Sequence, residues 1–164
     1  MNANNEEHLV YLGLGSNIDP EQNLPSAVSC LGDYLEVVAV SSAWQTSAVG
    51  SSGGDFLNAV ILVKTMLPPT ELKRKMVRYI EDQLGRIRSE DKYADRTIDI
   101  DLLIRDTQIL DPEIWVYAHM AVPLSELNPS ITSDITGETI QQAAQRLSSH
   151  TDIKHRPDVL RAFR

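Results

Sequence analysis

Asp99 and Asp101 stand one residue apart in "DRTIDIDLL", and Arg86, Arg88, Lys92 and Arg96 come shortly before them. Carboxylates at i and i+2 of a strand leave from the same side of the chain and sit roughly 7 Å apart. Such a pair repels unless water or cations intervene. It is also placed to bind one Mg²⁺ or to clamp two, which lie about 3.5–4 Å apart in two-metal sites. The bland alternative for D-x-D alone is a polar face at a sheet edge. The basic residues weigh against it, because arginine suits bidentate phosphate contacts and lysine a point-charge contact. Their own alternative is surface pairing with Glu90, Asp91 and Asp95, which are interspersed among them. Tyr93 either stacks on a base or covers the loop.

Phe56 and Asn58 form a second constellation. Alternation puts both on one face of a strand, so an aromatic plane and a hydrogen-bonding amide point the same way. That pairing suits a flat heterocycle, stacked on one side and read at its edge. A core Phe with a backbone-bonded Asn is the other reading. Trp44 and Thr46, alternate positions of the preceding strand, are candidates for the same pocket. "GLGSN" (13–17) lacks the Walker pattern, and its glycines allow close backbone approach at a strand end. His119 is a phosphate contact if it faces the site. No Cys/His zinc pattern and no Ser-His-Asp arrangement is present.

The elements that must position these groups follow from periodicity. "HLVYLGLG" reads as a buried strand, and a helix follows whose start is left open between Pro20 and Pro25. "EVVAVSSAWQT" reads as one strand, then a small Gly/Ser-rich loop (47–55), then the strand "FLNAVILVKT". "PPTELKRKMVRYIEDQLG" reads as a helix with the stripe Leu72, Met76, Ile80, Leu84 and a Gly85 cap. In the aspartate strand, Ile98, Ile100, Leu102 and Ile104 are expected on the face opposite the carboxylates. A less regular stretch leads to a helix from about 138 to 147. The order β-α-β-β-α-β predicts an α+β ferredoxin-like sandwich, an antiparallel sheet with helices packed on one face.

The 164 residues suit a single domain (1–164), with 1–8 and about 148–164 peripheral and the tail partly disordered. A hydrophobic fraction of 42% and a charged fraction of 23% are those of an ordinary globular protein. The one cysteine, Cys30, falls on an apolar helical stripe and reads as a core thiol in a reducing compartment. The N-terminus shows no signal-peptide pattern, and no apolar run is long enough for a membrane span, so a cytoplasmic location is expected. A net charge of −8 disfavours general nucleic-acid binding.

Taken in order, "GLGSN", "WQTSAVG", "FLNAV", "IEDQLGRIR" and "DRTIDIDLL" resemble the 6-hydroxymethyl-7,8-dihydropterin pyrophosphokinase family of folate biosynthesis, from about Val10 to Leu147. The R-T-x-D-x-D-x-L block, with the upstream R-x-R and glutamate, is its most specific part. The resemblance implies a ferredoxin-like fold and transfer of pyrophosphate from ATP to the pterin hydroxymethyl group, releasing AMP. By it, Asp99 and Asp101 hold two Mg²⁺ ions, and with Arg88 and Arg96 form the catalytic set. Thr46, Phe56 and Asn58 recognise the pterin, helped by backbone from Ala48 to Gly50. Glu81, Arg86, Arg88, Lys92, Tyr93, Arg96, Leu102 and His119 line the ATP site. A monomer is expected, with contact to other folate-pathway enzymes as a further expectation.

The chain also departs from the family pattern. "AHMAVPL" runs directly from His119 to Pro123 and Leu124, without an arginine and a second aromatic. Ile114 and Val116 stand where an arginine and a threonine are usual, Met120 where an aromatic is, and Asp95 where a proline is. A thinned wall opposite the metal site is therefore expected, and it motivates a second reading: a non-catalytic pterin- or nucleotide-binding protein. A single-strand RNA module on the same topology is a third, opposed by the acidity and the few aromatics.

Overall fold

The computed structural model describes residues 6–48, 53–91 and 93–164. Its strands are β1 (His8–Ser16), β2 (Glu36–Val40), β3 (Ala43–Thr46), β4 (Phe56–Thr65), β5 (Asp99–Arg105), β6 (Gln108–Ile109) and β7 (Ile153–Arg156). They form one seven-stranded sheet in the order β6-β5-β1-β4-β3-β7, with β2 also on β4, and every pairing is antiparallel. Helix α1 (Pro20–Gly32) follows β1. After β4 come α2 (Pro69–Glu71), a π-helical segment (Leu72–Val77) and α3 (Arg78–Gln83) in direct succession. Helices α4 (Ala118–Leu127) and α5 (Ile140–Ser148) complete the set.

Alternation along β1 and β4 divides the core in two. Val10, Leu12, Leu14, Leu57, Ile61 and Val63 face α1, the π-helical segment and α3, where Leu24, Leu31, Leu72 and Ile80 are buried against them. Each such side chain is worth about 1.5–3 kcal/mol when fully buried. Tyr11, Val60 and Leu103 point the other way, under Ala118, Ala121 and Leu124 of α4 and Ile140 and Ala143 of α5. The ferredoxin-like sandwich is therefore present as expected, and a second helical layer covers part of the opposite face. Cys30 is partly buried against the first core.

Several local expectations need correction. The single strand expected over 36–46 is two, because the Ser41 hydroxyl enters the ladder, accepting from Val60 N at 2.9 Å and donating to Ser42 O at 2.8 Å. The helix stripe runs Leu72, Val77, Ile80: π-type i→i+5 bonding, with Arg78 N donating to Lys73 O, widens the turn and brings Val77 rather than Met76 beneath Leu72. Pro20 starts α1 and Pro25 lies inside it. Gly85 caps α3 with a φ of 75°, as expected.

Ile104 leaves the Ile98–Ile100 face and joins the second core, because a register shift between Tyr11 and Leu12 opposite β5 inverts the alternation. The stretch read as irregular after β6 contains α4, which tolerates Pro123 because only its bond to the His119 carbonyl is lost. Nor is the C-terminal tail disordered. It forms β7, which pairs with β3, buries Leu160, and ends with Arg164 donating to Ser42 Oγ at 2.7 Å. Among the described residues, no helix is long and apolar enough to cross a membrane.

Candidate active site

Register brings the two constellations onto one floor. Asp101 lies opposite Gly13 and Asp99 opposite Gly15, while Gly15 on its other side lies opposite Asn58. Trp44 pairs with Asn58 and Thr46 with Phe56. A Cβ on Gly15 would stand 3.3 Å from Asn58 Oδ1, so glycine there leaves room for the amide to lie across β1. This floor opens into a cavity of about 340 Å³, within the range of small-molecule sites. Thr46, Phe56, Asn58, Tyr93, Arg96, Asp99, Asp101, Tyr117, His119 and Met120 are on its walls.

Asn58 is nearly buried and its orientation is set by chemistry. Its Nδ2 donates to Trp44 O at 3.2 Å and to Thr46 Oγ1 at 3.0 Å. A carbonyl oxygen only accepts, so the amide nitrogen must face it, and Oδ1 is the acceptor offered toward Gly15 and the cavity. Tyr117 and the first turn of α4 form another wall, with the Tyr117 and His119 rings stacked at 5.3 Å. Burial holds the His119 imidazolium below its ordinary range, against weaker upward pulls from Asp111 and Asp99, so His119 is neutral near pH 7.

The carboxylates differ in environment. Burial raises Asp99, but hydrogen bonding and charge from Arg86, then Arg96 and Lys73, bring its carboxyl below the usual range. Asp101 is pushed above that range by burial and by Asp99, and Lys73 at 3.2 Å offsets this only in part. The outer edge of β5 explains the cations. β6 pairs only with Ile104 and Arg105, which leaves the backbone around Ile98–Ile100 open on that side. Side chains from the π-helical segment, from α3 and from the loop after it fill the gap. Arg86 Nη1 donates to Ile98 O at 3.3 Å, Ile100 N donates to Glu81 Oε1 at 3.0 Å, and Lys73 Nζ donates to Ile100 O at 2.8 Å.

Glu81, 1% exposed, also accepts from Arg86 at 2.7 Å and from both terminal nitrogens of Arg88 at 3.1 Å. Arg86, Arg88 and Arg96 border a second cavity of about 210 Å³, which shares Ala94 and Arg96 with the first.

Asn17 clasps the two loops that flank the cavity. Its Nδ2 donates to Asp95 Oδ1 at 2.7 Å and to Gly54 O at 3.4 Å, and its Oδ1 accepts from Arg96 N at 2.7 Å. A Cβ at Gly53 would collide with the Asp95 carboxylate, so the loops are in close apposition. Asn17→Ala is expected to unlink them and to cost roughly 1–3 kcal/mol of stability, the effect of leaving buried groups unpaired. Denaturant unfolding of the variant beside the wild type will check it.

Of the residues singled out in the sequence, Thr46, Phe56, Asn58, Tyr93, Arg96, Asp99, Asp101 and His119 meet at the main cavity, and Arg86 and Arg88 at the second. Glu81 faces neither, being committed to the arginines and to β5. Leu102 packs against the first core, on the face away from the aspartates, so its side chain is not a lining group. Ala48 is outside the lining, and Gly50 and Lys92 lie outside the described residues. Trp44 turns away too: its indole donates to Glu126 of α4 and its ring meets His155 of β7 at 4.7 Å.

Sequence reasoning missed Lys73, Asn17 and Tyr117 as site residues. Only the glycines carried a readable signal, since Gly13 and Gly15 alternate on one face of β1 just as Asp99 and Asp101 do on β5. The short "AHMAVPL" segment enters α4 at once, which puts His119 and Met120 on the cavity wall without the arginine and second aromatic usual there.

Among the described residues, no group of three or more His, Cys, Asp and Glu side chains is gathered to hold a metal alone. Two carboxylates beside an open cavity fit a hard cation that completes its shell with water and phosphate oxygens, and do not fit a closed all-protein site.

Residues 11–129 match the family described as 7,8-dihydro-6-hydroxymethylpterin-pyrophosphokinase (HPPK). The 2-amino-4-hydroxy-6-hydroxymethyldihydropteridine pyrophosphokinase of Aquifex aeolicus is 31% identical over 143 residues, covering 81% of this chain and 88% of the relative. The protein of the same name from Synechocystis is 31% identical over 151 residues, covering 85% and 76%. Among solved structures, a Plasmodium falciparum HPPK-DHPS aligns with a TM-score of 0.72 at 12% identity, which speaks to the fold alone. It covers 90% of this chain, and the chain spans 46% of that longer protein. The chain belongs to the 7,8-dihydro-6-hydroxymethylpterin-pyrophosphokinase family.

Proposed function

We propose that this protein transfers pyrophosphate from ATP to 6-hydroxymethyl-7,8-dihydropterin, yielding the pterin diphosphate and AMP, with two Mg²⁺ ions at Asp99 and Asp101. The observation that carries the reading is the single floor on which a paired carboxylate and the Phe56–Asn58 face adjoin, separated only by glycines of β1. Asn58 Oδ1 accepts from the N–H edge of the pterin, Phe56 packs on its ring, and Thr46 holds the amide in register. Arg96 stands between the two cavities, with Arg86 and Arg88 beside it, so a triphosphate is met by cations on its outer side. Neutral His119 offers a hydrogen bond without adding charge. Lys92, Ala48 and Gly50 belong to the reading by resemblance.

In the reaction the hydroxymethyl oxygen bonds to the β-phosphorus, the bond from that phosphorus to the α–β bridging oxygen breaks, and the hydroxyl proton passes to solvent. AMP leaves with the bridging oxygen. Mg²⁺, when bound, neutralises phosphate charge. The protein's share is in-line positioning and a fixed field more than a strong base. A cytoplasmic monomer is part of this proposal. So is contact with another folate-pathway enzyme, supported by the existence of the HPPK-DHPS chain. The family match over residues 11–129 and relatives that carry the pyrophosphokinase name weigh against the binding-only alternative.

The test is incubation with ATP, Mg²⁺ and 6-hydroxymethyl-7,8-dihydropterin, followed by separation of nucleotides. AMP is expected, equimolar with the pterin diphosphate. ADP as the product, or tight pterin binding with no turnover, would overturn the proposal.

A further inference from the structure

Lys73 reaches the site from an unexpected direction. It belongs to the π-helical segment on the far face of the sheet, yet its ammonium comes round the unpaired edge of β5 and stands 3.2 Å from Asp101 Oδ1. The shorter contact is to Ile100 O at 2.8 Å, a backbone atom that does not move with the carboxylate. The charge is thus anchored independently of the group it neutralises. Lysine suits this post: a point-charge donor takes one carboxylate oxygen, whereas an arginine fork takes both.

We propose that Lys73 is a tethered counter-ion that weakens divalent-metal binding to the empty carboxylate pair, so that metal binds well only together with the nucleotide's phosphates. Three carboxylates, Glu81, Asp99 and Asp101, adjoin four cations, Lys73, Arg86, Arg88 and Arg96. A lone divalent cation entering this cluster meets fixed positive charge within a few ångströms. A triphosphate brings compensating negative charge with it. Removing the Lys73 ammonium removes one repulsive unit charge close to the metal position, and the remaining charges act through a partly exposed, screened environment. Lys73 is a positioning residue: it acts on Asp101 and not on the substrate. The inference rests on the assignment of Asp101 as a metal carboxylate.

Mn²⁺ titration of the nucleotide-free protein, followed by the loss of the free-ion electron paramagnetic resonance signal, tests it. Lys73→Met is expected to bind Mn²⁺ about tenfold more tightly than the wild type at low ionic strength. The gain should shrink at high salt and when a non-hydrolysable ATP analogue is present. Lys73→Arg, which keeps the charge, is expected to bind no more tightly than wild type. A merely structural lysine would lower the thermal midpoint in Lys73→Met without tightening Mn²⁺. Equal or weaker Mn²⁺ binding in Lys73→Met overturns the proposal. Asp101→Ala is the separate control: if it leaves Mn²⁺ binding unchanged, the metal assignment itself fails, whatever Lys73 does.

Discussion

Asp101→Asn is expected to cost about three orders of magnitude in AMP production and, at pH 7, to make the folded protein more stable rather than less. The loss follows from removing a carboxylate oxygen from the proposed metal site, a step worth several kcal/mol of charge stabilisation at about 1.4 kcal/mol per tenfold in rate. The gain follows from the electrostatics. Burial and Asp99 raise the Asp101 carboxyl above its ordinary range, with Lys73 compensating in part. Folding therefore favours its neutral form, and the isosteric amide removes that penalty wherever Asp101 would be charged. Asp101 is 43% exposed at its side chain, so solvent screening keeps the gain small.

The sign has a pH signature. A carboxyl raised by folding contributes stability that is full below its unfolded value and is lost as pH rises through its folded value. The advantage of Asp101→Asn should thus appear only as pH rises past that window, and vanish in acid. Asp99 is the opposite case. Its carboxyl is held below the usual range, so its contribution is present above the unfolded value and is lost as pH falls through the folded one. Asp99→Asn should lose activity to a similar degree and also lose stability at neutral pH, because Arg86 and Arg96 each lose an anionic partner. Thermal melts between pH 3 and 8, paired with the AMP assay, separate the two. A stabilised Asp99→Asn, or a strongly destabilised Asp101→Asn, would contradict this account.

Glu81→Ala is expected to be the most destabilising substitution near the site, at about 3–5 kcal/mol, the range for breaking a buried ion pair by removing one partner. The carboxylate is buried, and its two oxygens serve Arg86, Arg88 and the Ile100 N–H. Its loss strands a buried backbone donor and lets Arg86 swing from the edge of β5, which carries Asp99. Glu81→Gln keeps one acceptor for Ile100 N and should cost less. Denaturant unfolding will measure both. If Glu81 were instead a contact to ATP, as the resemblance suggests, Glu81→Ala would raise KM for ATP and leave the unfolding midpoint unchanged.

The alternation of "TIDIDLL" was enough to put both aspartates on one side of a strand, and that of "FLNAV" to put Phe56 with Asn58, because side-chain direction in a strand is a property of the local backbone. Gly85 as a helix cap and a helix over about 138–147 were legible too, because cap chemistry and helical periodicity are also local. Which strands lie side by side is not local. The antiparallel pairing of β1 with both β4 and β5 brought Asn58 and the aspartates to either side of Gly13 and Gly15, and no pattern within any one of those strands encodes that neighbour choice.

Lys73 was invisible for a related reason. In a helical repeat it reads as one more solvated charge, and only the π-type widening of its turn, together with the unpaired edge of β5, turned it toward Asp101. Helix entry at Ala118 likewise decided that His119 and Met120 of the short "AHMAVPL" reach the cavity. Residue types and spacing determined what chemistry this chain can offer. Strand pairing and helix entry, which depend on contacts distant in sequence, decided which of those groups meet.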